Sequence, residues 1–139
     1  MRALTLTQPW ATAVARGLKH WETRSWCTGF RGTVAIHAAK RFPKFEQEFA
    51  KEKGIFSAPI SEIVCICDLT ACYPTRSMGY FIDPDSEEWG WGDYSEGRYA
   101  FKLDNVFRLL PGVTAKGSLG FWTVNTELEK QIMSAVEAR

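Results

Sequence analysis

The segment 17–24, Gly-Leu-Lys-His-Trp-Glu-Thr-Arg, constrains the fold more than any other part of the chain. It follows an apolar helical pattern and leads toward the β-branched run 33–36, so Lys19, Glu22 and Arg24 lie at the start of a predicted sheet. We call these three residues the charged cluster. Charged groups in a sheet are costly unless they pair or face a wet cleft. The segment is therefore the first candidate for a functional site.

The rest of the chain shows strand and helix patterns without a regular β-α-β alternation. Strands are predicted at 4–6, 20–26, 32–38, 61–73, 99–104 and 118–124, and helices at 10–17, 43–54 and 126–136. A loop rich in Gly, Asp and Trp at 78–97 is long enough to act as a lid or binding loop. We interpret residues 1–139 as a single α+β domain built around a mixed β-barrel. A doubly wound parallel sheet is disfavoured, because no glycine-rich phosphate motif follows the first strand.

Composition excludes several classes of protein. The chain has 139 residues, a formal net charge of +1 and 24% charged residues, which is typical of a globular domain and not of a highly basic nucleic-acid protein. Its apolar runs fall short of the roughly 20 residues of a membrane helix, and its N-terminus does not resemble a signal peptide. We therefore expect a cytoplasmic location and no membrane partner. Basic residues prevail in 19–44 and acidic residues in 83–96, so one face is expected to be positive.

The four cysteines do not form a pattern that predicts a metal site. Cys27, Cys65, Cys67 and Cys72 contain no C-x-x-C pair, and two cysteines alternating on one strand are poorly spaced for tetrahedral coordination. We expect reduced thiols buried in the core, no bound metal and no cofactor.

The charged cluster has the residue types that a pocket for a base or nucleotide needs. Cations beside aromatic rings, with a carboxylate to accept hydrogen bonds, recognise bases and phosphates. The aromatic rings expected nearby are those of Trp10, Trp21 and Trp26. The alternatives are that Glu22 and Arg24 form a solvated pair on an edge strand and that the tryptophans belong to the core.

Four further residues complete the set of candidates. On its predicted strand Asp68 shares a face with Val64 and Ile66. If that face points inward, the carboxylate would need a cation such as Lys19 or Arg24, either as a structural ion pair or in a site. His37 ends another strand and could titrate near neutrality or donate to a phosphate, although most such histidines are structural. Lys40 and Arg41 follow it and extend the basic stretch, which we predict contacts RNA or nucleotides.

Five motifs resemble the ASCH domain. They are Gln-Pro-Trp at 8–10, Gly-x-Lys-x-x-Glu-x-Arg at 17–24, Gly-Thr-Val-Ala-Ile-His-Ala-Ala-Lys at 32–40, Gly-Arg-Tyr-Ala-Phe at 97–101 and Lys-Gly-Ser-Leu-Gly-Phe-Trp at 116–122. The resemblance covers residues 4–124. It implies a β-barrel similar to the PUA domain, with a helix after the first strand, a cleft beside that helix and a C-terminal helix.

The resemblance also implies partners and an activity. Members of the family are proposed or shown to bind RNA, DNA or nucleotides, and one is described as a ribonuclease. A small bacterial relative hydrolyses N4-acetylcytidine with a lysine, a threonine and a glutamate. Lys19 matches the lysine and Asp68 conservatively replaces the glutamate, but Glu22 stands where the relative has threonine. Glu22 would have to act as a general base on water, which is a different mechanism.

Three functions remain open from the sequence. The first is a module that binds nucleic acid or a modified nucleoside, and this is the function that we favour. The second is a hydrolase of acylated nucleosides, in which Lys19, Glu22 and Asp68 are the catalytic acid–base groups and Arg24 orients the substrate. The third is a protein-interaction domain. The first needs only a basic cleft with stacking aromatic rings, and the most informative observation is whether Lys19, Glu22, Arg24 and Asp68 converge in one open cleft.

Overall fold

The computed structural model describes residues 1–138, which form one six-stranded sheet with four α-helices. The strands are β1 (Arg2–Leu6), β2 (Trp21–Arg24), β3 (Gly32–Ala38), β4 (Glu62–Pro74), β5 (Tyr99–Thr114) and β6 (Phe121–Thr123). Their order across the sheet is β2-β5-β4-β3-β1-β6, and every neighbouring pair is antiparallel except β1 and β3. The sheet curls into a half-barrel.

The helices lie between the strands and at the end of the described chain. They are α1 (Trp10–Ala15), α2 (Lys44–Glu52), α3 (Glu87–Gly90) and α4 (Thr126–Glu137), with a 3₁₀ helix at Thr75–Tyr80. Asn125 caps α4, because its side chain accepts a hydrogen bond from the Leu128 N–H at 2.8 Å. In the described part of the chain, no helix is long and apolar enough to cross a membrane.

The core lies on both faces of the curled sheet. Residues of α1 pack against the inner face with a cluster of buried side chains that includes Leu4, Ile36, Leu69 and Phe101. The outer face is covered by α4, whose fully buried Ile132 packs in a second cluster. The observed α+β architecture, with a helix after the first strand and a C-terminal helix, confirms the predicted fold class.

The long strand β4 does not alternate regularly. Its pairing with β3 shifts register at Val64, because Ile36 pairs with Cys65 and the next residue, His37, pairs with Ile63. At this shift, Val64 and Cys65 are neighbours in sequence and yet pack in the same inner cluster. A bulge of this kind inserts a residue and exchanges the faces of the residues that follow it. The predicted alternation of inner and outer side chains along this strand is therefore wrong beyond Val64.

Candidate functional site

The principal cleft lies where the carboxyl end of β1 meets β2 and the start of α1. Its volume is about 540 Å³, and the loop that follows α3 forms one wall. The lining residues include Thr5, Leu6, Thr7, Trp10, Glu22, Thr23, Arg24, Trp91, Asp93, Arg98 and Leu119. The charged segment 17–24 thus leads into the floor of an open cleft, as its sequence suggested.

Lys19 lies directly behind the cleft floor and does not line it. The chain turns after α1 at Gly17, whose φ of +74° favours glycine, and this turn directs the Lys19 side chain inward. The lysine is 0% exposed. Its Nζ donates to the carbonyl oxygen of Trp21 and lies 3.1 Å from Oε1 of Glu22. Lys19 therefore neutralises and positions the carboxylate, and its ammonium is not open to a ligand.

Glu22 is a buried carboxylate between two cations. Burial alone would raise the pKa of Glu22, but the charges and hydrogen bonds of Lys19 and Arg24 outweigh it and hold that pKa below its usual value. The Arg24 Nε donates to Oε2 at 2.9 Å. Glu22 is consequently ionised at neutral pH and presents a fixed negative charge to the cleft.

Arg24 also links the two sides of the half-barrel. Its guanidinium donates to the carbonyl oxygen of Thr5 at 2.7 Å, so a residue of β2 contacts the end of β1. These strands are not neighbours in the sheet. The bond spans the open side of the barrel and fixes the cleft floor.

The loop wall is held by contacts that the sequence motifs did not reveal. Trp10 Nε1 donates to the Trp91 carbonyl at 2.8 Å, and the Asp93 N–H donates to Thr23 Oγ1 at 3.1 Å. Arg98 donates to the Thr23 carbonyl at 3.2 Å and to the Asp93 carbonyl at 3.1 Å. The predicted loop 78–97 thus supplies a wall of the cleft. The composition of that loop indicated a lid or binding loop. Which of its residues reach the cleft depends on contacts between distant parts of the chain.

Two of the three expected aromatic rings do not reach the cleft. Trp10 lines it, whereas Trp21 is buried against Met78 on the opposite face of β2. Trp26 packs edge-on against Phe101, with ring centroids 5.1 Å apart. These two rings belong to the core, which was the alternative interpretation of the tryptophans.

Asp68 does not join the charged cluster. Its carboxylate accepts hydrogen bonds from Thr33 Oγ1 at 3.3 Å and from Asn105 Nδ2 at 2.9 Å, and both contacts lie at the surface. The expected ion pair with Lys19 or Arg24 is therefore absent. The cause is the bulge in β4 at Val64, after which Leu69 packs on the inner face and Asp68 turns away from it.

The remaining candidate site residues lie either in the core or at the rim of the cleft. His37 is 2% exposed and lies between Thr5 Oγ1 (3.2 Å) and the Ala115 carbonyl (2.8 Å), which makes it a structural residue outside the cleft lining. Lys40 and Arg41 are exposed and directly follow Ala39, a lining residue, so they lie at the cleft rim. Among the described residues, no group of three or more His, Cys, Asp or Glu side chains is placed to hold a metal ion.

Sequence comparison assigns the chain to a family. Residues 4–106 match the ASCH domain, and the protein belongs to this family. The family is generally linked to RNA binding. No curated protein matches the chain.

Solved structures support the same fold. A serine-to-alanine mutant of the ASCH protein from Zymomonas mobilis superimposes with a TM-score of 0.62 at 15% sequence identity, covering 96% of this chain and 94% of that one. The ASCH structure from Zymomonas mobilis gives a TM-score of 0.58 at 14% identity, covering 96% and 93%. At these identities the likeness concerns the fold alone.

Proposed function

We propose that the cleft binds one base of a nucleotide or of single-stranded RNA, with its floor contacting the base and its rim contacting phosphate. The observation that carries this proposal is the ionised Glu22 carboxylate, fixed by two cations in the floor of a cleft with indole rings in its walls. An ionised acceptor in a partly enclosed site favours a ligand with N–H donors.

The floor offers both kinds of hydrogen-bonding group. A carboxylate has about four acceptor positions, and Lys19 and Arg24 occupy one on each oxygen of Glu22. The other positions are free to accept from an exocyclic amino group, as carboxylates do from N4 of cytosine. The partly exposed Arg24 guanidinium supplies donors beside them. A base edge that carries both donors and acceptors matches this floor.

The walls and rim suit the remainder of a nucleotide. Trp10 is held rigidly, because it stacks on Phe49 with centroids 5.4 Å apart and donates to the Trp91 carbonyl. Stacking of a base on such a ring contributes about 1–3 kcal/mol. Arg98 lines the cleft with a partly exposed side chain, and Lys40 and Arg41 lie at the rim. These cations are placed to contact phosphates of a bound strand.

The salt dependence of RNA binding tests the role of the rim. We expect Lys40→Ala/Arg41→Ala to weaken binding of a short single-stranded RNA and to reduce the slope of log affinity against log salt by about 1.4, since each lost phosphate contact removes about 0.7. Titration of tryptophan fluorescence over a range of salt concentrations measures both quantities, because two indole rings line the cleft.

The matched control removes the same charge elsewhere. Arg108→Ala/Lys130→Ala replaces two exposed cations that do not line the cleft, so affinity and slope are expected to stay close to wild type. If both double variants and the wild type give the same slope of log affinity against log salt, Lys40 and Arg41 do not contact the RNA. Wild-type affinity that does not depend on salt would contradict phosphate binding altogether.

A second candidate function is hydrolysis of an acylated nucleoside, and the ionised Glu22 is the observation that favours it. A carboxylate held ionised in a cleft is a candidate general base for activating water. Lys19 is not available as a nucleophile, because it is buried and bonded to Glu22 and the Trp21 carbonyl. Arg24 is placed to polarise the acyl oxygen. Release of acetate from N4-acetylcytidine by the wild-type protein tests this candidate, and absence of release from a panel of acylated nucleosides would overturn it.

A further inference from the structure

Two cysteine side chains from distant parts of the chain meet at the surface. Cys27 lies between β2 and β3, Cys72 lies near the end of β4, and their Sγ atoms are 3.5 Å apart. Cys27 is exposed, which differs from the expectation that all four thiols are buried, and Cys72 is partly exposed. At this distance either thiol is placed to attack a sulfur adduct formed on the other.

The surrounding residues hold the two sulfurs in this arrangement. The backbone N–H of Thr28 bonds to the Cys72 sulfur, and Arg31 lies near it. Arg31 also donates to the carbonyl of Thr28 at 2.9 Å and to that of Phe30 at 2.7 Å, which stabilises the turn carrying Cys27. On the other side, Cys72 pairs with a buried residue of β5. The pair is thus fixed by ordered neighbours at both ends.

The other two cysteines have a different environment. Cys65 and Cys67 are 0% and 2% exposed and belong to the inner core cluster. Burial raises the pKa of the Cys67 thiol to about 12 and that of Cys65 well above its usual value. Because the thiolate is the reactive form, these two residues are inert and serve as internal controls.

We propose that Cys27 and Cys72 form a dithiol modification site that a small-molecule disulfide converts to an intramolecular disulfide. The Cys27 thiolate attacks one sulfur of the reagent, forms a mixed disulfide and releases one thiolate. Cys72, as its thiolate, then attacks the Cys27 sulfur, forms the protein disulfide and expels the second reagent thiolate. Two protein thiols are oxidised, one reagent disulfide is reduced to two thiols, and the two protons go to those leaving groups. This inference does not depend on the function proposed for the cleft.

The order of the two attacks follows from exposure. Cys27 is the more exposed thiol and meets the reagent first. The pKa of Cys72 is raised, chiefly by burial and also by its contact with Cys27, while the Thr28 N–H and the Arg31 charge oppose this rise. Cys72 is therefore the resolving residue.

The test uses the folded, reduced protein and oxidised glutathione as the probe. We expect the wild type to lose two hydrogen atoms by intact mass and to yield a Cys27–Cys72 linked peptide after alkylation and digestion. In Cys72→Ser the reaction should stop with one glutathione on Cys27, and Cys27→Ser should react far more slowly. Reduction with dithiothreitol should restore both thiols in the wild type.

The alternative outcomes contradict the proposal. They are a glutathione adduct that persists on wild-type Cys27 without a linked peptide, a linked peptide that contains Cys65 or Cys67, and equal labelling of all four thiols. Circular dichroism of each variant before oxidation confirms that the compared proteins are folded.

Discussion

Replacing Lys19 by methionine is expected to lower the free energy of unfolding by about 3–5 kcal/mol, the usual effect of removing one partner of a buried ion pair. The lysine has no exposed surface, and its ammonium contacts Glu22 and the Trp21 carbonyl. Methionine fills a similar volume without a charge, so Glu22 is left buried with Arg24 as its remaining cation. Urea titration of the wild type and the variant at neutral pH measures the difference.

The same substitution at an exposed ion pair is the control. Lys102 Nζ lies 3.7 Å from Asp104 Oδ2 and its side chain is 44% exposed, so Lys102→Met should change stability by less than about 1 kcal/mol. In addition, the double variant Lys19→Met/Glu22→Leu should lose less unfolding free energy than the sum of the losses of its two single variants, because the unpaired charge is removed with its partner. Equal losses for the two lysine variants would show that the Lys19 pair does not hold the cleft floor.

The parts of the fold and site that the sequence predicted correctly are local. Glu22 and Arg24 are two residues apart on a strand, so alternation places them on one face, and a short turn from α1 brings Lys19 to the same place. The helix after the first strand and the C-terminal helix likewise follow from periodicity within each segment. These features could be predicted without knowledge of contacts between distant residues.

The parts that failed depend on bulges and on pairing between distant residues. Asp68 turns outward because β4 carries an extra residue at Val64 where it pairs with β3, and sequence alternation cannot detect a bulge. The sequence could have excluded Trp21 from the cleft. Side chains alternate along a strand, so Trp21 lies on the face opposite to that of Glu22 and Arg24. The wall residues Trp91 and Arg98 are far from β2 in sequence; the folded loop brings Trp91 to the cleft, and the pairing of β5 with β2 brings Arg98.

Replacing Glu22 by glutamine is expected to weaken nucleotide binding by roughly 30-fold to several thousand-fold, which corresponds to the 2–5 kcal/mol of a truncated buried charge pair. Glutamine has nearly the same shape, but it has no charge to accept strongly from a base, and it leaves Lys19 buried without a counter-ion. Calorimetric titration with cytidine and guanosine nucleotides measures the loss. Glu62→Gln changes a partly buried carboxyl outside the cleft and should leave affinity unchanged.

The stability of the same variant at acid pH distinguishes the effect of the Glu22 charge from the effect of its shape. Because the folded protein lowers the pKa of Glu22 below its usual 4.5, this carboxylate stabilises the fold above that pH, and its contribution is lost as the pH falls through the lower folded value. Glu22→Gln has no such contribution to lose, so the gap in stability between the wild type and the variant should narrow from neutral pH into acid. Urea titrations at a series of pH values measure the gap. A gap that stays constant, together with nucleotide affinity equal to wild type, would show that Glu22 acts only by filling space.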